Sequence, residues 1–396
     1  MKRLLVFGCG PLQLSIIQRA RAMGFYTVGI DPCGDAPAAS ACDAFETVGG
    51  QDYEGTCAVV EKYGIDGVVT ASTDKPLRMM ARIAERYGFP FVSERTAIAS
   101  TDKQLMKEAF IKAGVPCAKG RIVRNIADTE GLELPLVIKP RDNSGSRGVV
   151  VCRSREELST AITDALSFSH LDSVLAEEFI EGDEYSIESL HLGGSSTVLQ
   201  FTEKRITPFP HTVELGHVQP AALSDSQKEE IRRIVAGTGE CLGFDNCPSH
   251  TEVKINPRGI FVIETSPRLG GDFITSHLVP LSTGVNMEDA VLRIAAGMQP
   301  ELPPLKSDAS GIAFFRLPEG RVLSIDNSAL EAAASAPDVK HFRLGLAPGS
   351  IVGPITSSLS RYGEVIVKGD SAAAVKSRLE AINSIVANSV KIDSQV

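Results

Sequence analysis

The sequence predicts an α/β chain whose central part is α+β, with an N-terminal parallel sheet and a small C-terminal α+β unit. Three observations carry this. The first seventy residues alternate short β-rich runs with helical ones, the βαβ rhythm of a parallel sheet. The middle instead pairs short strands across tight turns, the pattern of antiparallel hairpins. The length of 396 residues exceeds one small core and calls for two or three units. With 43% hydrophobic and 22% charged residues, neither a disordered polymer nor a coiled coil fits. The formal net charge of −9 argues against nucleic acid or an anionic membrane as the principal partner.

The N-terminal unit reads as strands over 4–7, 26–30 and 67–70 with helices over 12–23 and 56–63. Gly8-Cys9-Gly10 closes the first strand and Asp31 ends the second, which is half of a dinucleotide-binding fingerprint. Gln13 occupies the third glycine position, so a plain structural turn or a small-ligand site competes with bound NAD. No apolar run reaches the ~18 to 20 residues of a membrane span, and the chain turns glycine-rich at Gly8 before a signal segment forms. A cytoplasmic protein is expected. The 8 cysteines form no C-x-x-C pair and no zinc spacing, so reduced thiols are expected.

A second unit begins near residue 100, where Thr101-Asp102-Lys103-Gln104 has capping-box form with Thr101 as the cap. Its helix is expected to stop at Gly114. The apolar run 135–140, the loop 141–148 and the β-branched run 149–151 make a hairpin, because no helix and no Gly-Lys-Ser/Thr follows the glycines. Ser154 caps a further helix; strands are expected over 174–180 and 184–192, and a long helix over 224–241. Strands 252–255 and 260–264 meet at the turn 256–259. Strands 311–316 and 363–368 and a helix over 371–386 complete the chain.

The chemistry lies on that last hairpin and on Lys139. A hairpin centred on 256–259 brings Glu252 and Glu264 side by side, and two carboxylates sharing a site need a cation or a proton between them. Mg²⁺ suits one or two carboxylates completed by phosphate oxygens. Ser266 and Arg268 continue the same face, and Gly270 and Gly271 let backbone approach a ligand. Lys139 ends a buried strand directly before the Gly/Ser loop, whose amides can fold over phosphate beside the lysine's charge.

Taken in order, these motifs resemble the ATP-grasp enzymes over nearly the whole chain. The resemblance implies a Rossmann-like N-terminal domain (1–100), an ATP-grasp domain (101–302) with a mobile lid lobe (115–182), and a C-terminal domain (303–396). It implies that Lys103 and Lys139 contact ATP phosphates and that the loop 142–149, with Ser144, Gly145, Ser146 and Gly148, covers them. Glu177 and the backbone of Glu178, Phe179 and Ile180 would meet the adenine edge, and Glu184 the ribose. Glu252, Glu264 and Ser266 would hold Mg²⁺, two ions with Mn²⁺ able to substitute, although the family usually has asparagine where Ser266 stands. The implied reaction is carboxylate–amine ligation through an acyl phosphate, with Arg268 holding substrate carboxylate and developing charge.

Within that group the chain resembles bacterial L-amino acid ligases, through the segment 211–220 and the stretch 311–322. Glu214 would receive a substrate ammonium, or would simply be a loop glutamate facing water; Gly270 and Gly271 would line the substrate site. Small-molecule carboxylate and amine substrates, no nucleic acid, no membrane and a homodimer are implied. A purine-pathway type of ATP-grasp enzyme, activating bicarbonate or formate, is the first alternative and needs a phosphate pocket near 8–13. An NAD-dependent dehydrogenase resting on Gly8, Gly10 and Asp31, and a nucleotide-binding protein without catalysis, are the others.

Overall fold

The computed structural model describes residues 1–208 and 212–394. Its N-terminal sheet is parallel, in the order Ala44–Thr47, Tyr26–Asp31, Arg3–Phe7, Gly67–Val69. The expected first helix begins as a 3-10 turn, Pro11–Gln13, before Leu14–Ala22. The glycine turn is held from inside. The Cys9 amide donates to Asp31 at 2.8 Å and the Gly10 amide to Gln13 Oε1 at 3.2 Å. Gln13 in turn donates to the Ala71 carbonyl at 2.5 Å and is buried. Gln13 therefore acts as an internal strut where a dinucleotide fingerprint has its third glycine.

The expected cap at Thr101 is corrected by one residue. Thr101 ends the preceding helix, Glu94–Thr101, and its hydroxyl donates back to the Ala97 carbonyl at 2.8 Å. Asp102 caps Lys103–Ala113 instead, accepting from the Gln104 amide at 2.9 Å. Gln104 bonds forward to Glu108 rather than back to the cap. Because the two helices abut, Asp102 is the residue left in extended conformation, as a cap requires. Gly114 closes that helix at φ +73°, a left-handed position that glycine adopts without strain.

A separate four-stranded antiparallel sheet follows, ordered Gly120–Val123, Val174–Glu178, Leu136–Pro140, Val150–Cys152. The helix Arg155–Ser167 packs Leu158, Ala161, Ile162 and Ala165 against it. The loop expected between 141 and 148 is the turn of this sheet's outer hairpin.

The dominant element is an eight-stranded sheet in the order Gly259–Ser266, Cys247–Asn256, Asp183–Leu192, Ser195–Ile206, Glu214–Gln219, Ala309–Phe314, Gly363–Gly369, Val339–Leu344. The C-terminal unit therefore continues the central sheet edge to edge, Gly311 opposite Val218. The long helix Asp225–Leu242 covers one face with Ile231, Ile234 and Val235. Strands Ser195–Ile206 and Glu214–Gln219 were not anticipated. Their buried positions include Gln200, Thr202, Lys204, His217 and Gln219, so the period-2 apolar signal that marks a half-buried strand is missing. One face of this sheet is both buried and polar.

Candidate active site

The two glutamates meet because of a bulge. From the turn, Asn256 faces Gly259, Ile255 faces Ile260 and Val253 faces Val262. Continued strictly, that register would set Glu252 against Ile263 and put Glu264 on the wrong neighbour. The register instead slips between Glu252 and Val253, so that Glu252 faces Glu264 and His250 faces Ser266. One extra residue on a strand turns every side chain beyond it to the other face. Here it gathers Glu252, Glu264, His250 and Ser266 together.

Around Glu252 the sheet carries an acidic cluster on a single deeply buried lysine. Lys204 Nζ lies 2.6 Å from Glu184, 3.0 Å from Glu252 and 3.5 Å from Glu214. Burial would lower the Lys204 ammonium, but the charges of Glu184, Glu252 and Glu214 lift it well above its ordinary value. Burial would raise Glu252, but Lys204 and His250 hold it well below the carboxylate range. Glu214 goes the other way: burial raises its carboxyl, with Asp272 and Glu252 adding to the rise against the pull of Lys204. The loop glutamate facing water is thereby corrected, since Glu214 opens the strand Glu214–Gln219 and is enclosed by charged neighbours. Lys254 stands at the outer side, 3.8 Å from Glu184 and over the Phe179 ring.

A second strand partner backs His250. Fully buried Glu188 accepts from His250 Nδ1 at 2.6 Å, while His250 Nε2 lies 3.3 Å from Glu252. Gly270 packs over this pair so closely that a β-carbon would come within 2.8 Å of the imidazole and 2.9 Å of the carboxylate. Its missing side chain makes room for protein; an added Cβ at Gly271 would meet nothing within 4 Å.

The opposite wall is basic. Lys139, at the end of its strand, is ion-paired with Glu177, and Lys107 Nζ reaches the same carboxylate at 2.9 Å. Burial pushes the Lys139 ammonium down, and Lys107 and Lys103 push it further against the attraction of Glu177. The Glu177 side chain is thus taken up by two lysines. The neighbouring amides are also engaged: Glu178 N–H donates to Lys119 O at 2.8 Å and Phe179 N–H to Pro135 O at 3.0 Å. Ile180 is buried. Lys103 bridges the walls, 3.1 Å from Glu264 and donating to the Asn143 carbonyl at 2.6 Å. Next to it the loop 142–149 takes left-handed conformations at Gly145, Ser146 and Gly148. Ser144 N–H bonds Asn143 Oδ1 and Ser146 Oγ donates to Thr212 O at 3.0 Å, which seats the loop against the chain just before the strand Glu214–Gln219.

Arg268 faces an unanticipated partner. Asp74, on the loop after Gly67–Val69, accepts from Arg268 Nε at 2.8 Å and Nη2 at 3.2 Å, and from Ser266 Oγ at 2.6 Å. Burial would raise Asp74, but Arg268 and Ser266 bring it down to about 2. Beyond Gly271, Asp272 accepts two bonds from Arg361 at 2.7 and 2.6 Å and lies 3.2 Å from His217. Sequence reasoning placed Lys103, Lys139, Glu184, Glu252, Glu264, Ser266 and Arg268 in this constellation. It missed Glu188, Lys204 and His217, which stand on strands, Lys107, which stands on the helix Lys103–Ala113, and Asp74, Asp272 and Arg361, which stand on loops, and no local pattern in the sequence marks them. His211, at the start of the segment 211–220, lies outside the described residues.

Glu252 and Glu264, facing each other across a hairpin, form a hard-oxygen pair of the kind Mg²⁺ takes when phosphates complete its shell. Among the described residues no three His, Cys, Asp or Glu side chains cluster as a self-sufficient metal cage.

The ATP-grasp domain family matches residues 132–276 and the L-amino acid ligase C-terminal domain 2 family matches residues 313–387. An alanine–anticapsin ligase of Bacillus amyloliquefaciens is 26% identical over 275 residues, 62% of this chain and 57% of that protein. An L-amino acid ligase from Bacillus licheniformis has the same fold with a TM-score of 0.85, at 22% identity over 100% of this chain and 99% of that one. An N5-carboxyaminoimidazole ribonucleotide synthetase from Thermotoga maritima follows at a TM-score of 0.74 and 19% identity, with 100% of both chains covered. The chain spans 67% of the length of an uncharacterized protein of Sinorhizobium fredii, 57% of the Bacillus amyloliquefaciens ligase and 22% of a carbamoyl phosphate synthase large chain of Rubrobacter xylanophilus.

Proposed function

We propose that this chain, an ATP-dependent ligase built on an ATP-grasp domain and an L-amino acid ligase C-terminal domain, joins the carboxylate of an amino acid to an amine through an acyl phosphate. The observation that carries this reading is the charge asymmetry of the cleft. One wall sets Lys107 and Lys139 around the single carboxylate of Glu177, and the other sets Glu184, Glu214 and Glu252 around Lys204. Triphosphate suits the first and cations suit the second.

In this proposal Lys103 and Lys139 hold phosphate oxygens and the amides of Ser144, Gly145, Ser146 and Gly148 close over them. The 177–180 segment faces adenine, and Glu184 receives the ribose hydroxyls. Glu252 and Glu264, with Ser266, would hold Mg²⁺, which when bound neutralises phosphate charge. Arg268, aimed by Asp74, presents a guanidinium to the substrate carboxylate. That carboxylate oxygen attacks the γ-phosphorus and ADP leaves. The amine nitrogen then attacks the acyl carbon, its proton is lost and inorganic phosphate departs. An acyl phosphate hydrolyses in open water, so the 142–149 loop serves also to exclude solvent. The lobe 115–182 is the moving part of the ATP-grasp domain 101–302, and the chain pairs as a homodimer, for which a solution mass near twice that of one chain is expected.

The purine-pathway alternative needs amides near 8–13 free for a phosphate. Those of Cys9 and Gly10 are bonded to Asp31 and Gln13, which favours the amino-acid reading. ADP release from ATP and Mg²⁺ is to be measured across single and paired amino acids, with purine intermediates, bicarbonate and formate alongside. Release that requires a pair of amino acids, with a condensed mass in the product, is expected. Release driven by bicarbonate or formate with a purine intermediate would overturn the proposal.

A further inference from the structure

Ser266 is short for its post. A serine oxygen offers a cation less reach than an amide, and a hydroxyl that turns its hydrogen inward presents no useful lone pair. The structure settles which way the hydrogen points. Ser266 Oγ donates to Asp74 Oδ1 at 2.6 Å, and Ser266 is only 7% exposed. With its single hydrogen committed to a carboxylate, the oxygen has lone pairs alone for any other neighbour, and the anionic acceptor raises its basicity. The same carboxylate grips Arg268 through two nitrogens.

Asp74 comes from a different part of the chain. It sits on the loop that joins the strand Gly67–Val69 to the helix Leu77–Tyr87 in the N-terminal unit, 192 residues from Ser266. That loop is tied down beside the hairpin: Ser72, at φ +58°, donates to the Gly270 carbonyl at 3.1 Å. A left-handed conformation at a non-glycine residue costs on the order of 1 kcal/mol and persists where surrounding contacts over-determine it.

We propose that Asp74 is a positioning residue that makes Ser266 a competent oxygen ligand in place of a longer amide, and that the N-terminal unit thereby completes the cation site on the Glu252–Glu264 hairpin. The inference rests on the metal reading given above.

The test is Mn²⁺ binding followed by electron paramagnetic resonance, in the presence of a non-hydrolysable ATP analogue, on the full chain. Asp74→Ala is expected to weaken Mn²⁺ about tenfold, the scale of losing an outer-sphere partner, Ser266→Ala at least as much, and the two together no more than Ser266→Ala alone. Asp74→Asn keeps an acceptor oxygen and the shape of the site, so it covers the case in which the alanine variant fails to fold; a several-fold weakening is expected. Ser266→Asn supplies its own amide oxygen. In that background Asp74→Ala is expected to change Mn²⁺ affinity less than twofold. Unchanged affinity in Asp74→Ala and Asp74→Asn, or equal sensitivity to Asp74→Ala with Ser266→Asn present, would overturn the inference. Failure of the unaltered chain to take up Mn²⁺, or full-strength binding by Glu264→Gln, would instead remove the metal reading itself.

Discussion

The two walls of the cleft are built from the same buried charges in opposite proportion. On the basic side, two lysines share Glu177, and the strained member is a cation: burial, then Lys107 and Lys103, depress Lys139. On the sheet side, three glutamates share Lys204, and the strained member is an acid: burial, then Asp272 and Glu252, raise Glu214. Neither proportion is what stability alone would select, because an uncompensated buried charge costs several kcal/mol. The lesson is that each wall carries an excess of one sign, which is what the proposal matches with a ligand of the other. His250 in the same sheet is closer to balance, 2.6 Å from Glu188 on one side of its ring and 3.3 Å from Glu252 on the other.

The largest effect expected is on the acidic wall. Glu264→Gln keeps the shape of the hairpin and removes one hard anion, so turnover should fall on the order of 1,000-fold, about 4 kcal/mol, with an unchanged melting curve. Full activity in that variant would break the assignment of the acidic wall to a cation. Lys204→Met should strip the three glutamates of their counter-charge and cost about 3 to 5 kcal/mol in urea unfolding. Saturating Mg²⁺ should restore more stability to this variant than it adds to the unaltered chain. Equal gains in both would mean that the cluster is not where the ion acts.

Lys139→Ala probes the basic wall. Glu177 retains Lys107 at 2.9 Å, so the fold should survive while the Kd for ATP rises at least about tenfold, or 1.4 kcal/mol. Calorimetry should show amino-acid binding unchanged, and an unaltered ATP affinity would make the lysine purely structural. The balanced pair should matter least to ligands: His250→Gln with Glu188→Gln is expected to shift Mn²⁺ affinity less than about tenfold, the lower bound for removing an outer-sphere partner. Its signature is in pH. Burial would lower the His250 imidazole, but Glu188 raises it to about 9. The folded value thus lies above the unfolded value of about 6.5, so the pair's stabilisation is complete below that pH and is lost as pH rises through about 9. The stability difference between the unaltered chain and the double variant should shrink across that window. A constant difference would show that the imidazole does not carry the charge.

The hairpins, the βαβ opening and the linear motifs were legible because each is written in local residues: Gly114 after a helix, Asn256 and Gly259 at a turn, Lys139 before a glycine loop. What could not be read were partners brought from a distance. The bulge opposite Glu252 needs one unpaired residue that no pattern announces, although without it Glu264 would face away. Lys204 and His217 lie on strands whose inward positions are polar, so the alternation that reveals a strand was hidden by the chemistry the strand carries. Asp74 is separated from Arg268 by 194 positions and depends on how two units pack. Thr101 shows a smaller failure of the same kind, since its place as a cap was lost to the preceding helix, which runs up to and ends on it.

The most direct test of a carboxylate activated as an acyl phosphate is oxygen transfer. Turnover with an amino acid labelled with ¹⁸O in its carboxylate, followed by mass spectrometry of the released phosphate, should show one labelled oxygen per phosphate. Phosphate that carries no label from the amino acid while ATP is consumed would contradict the account.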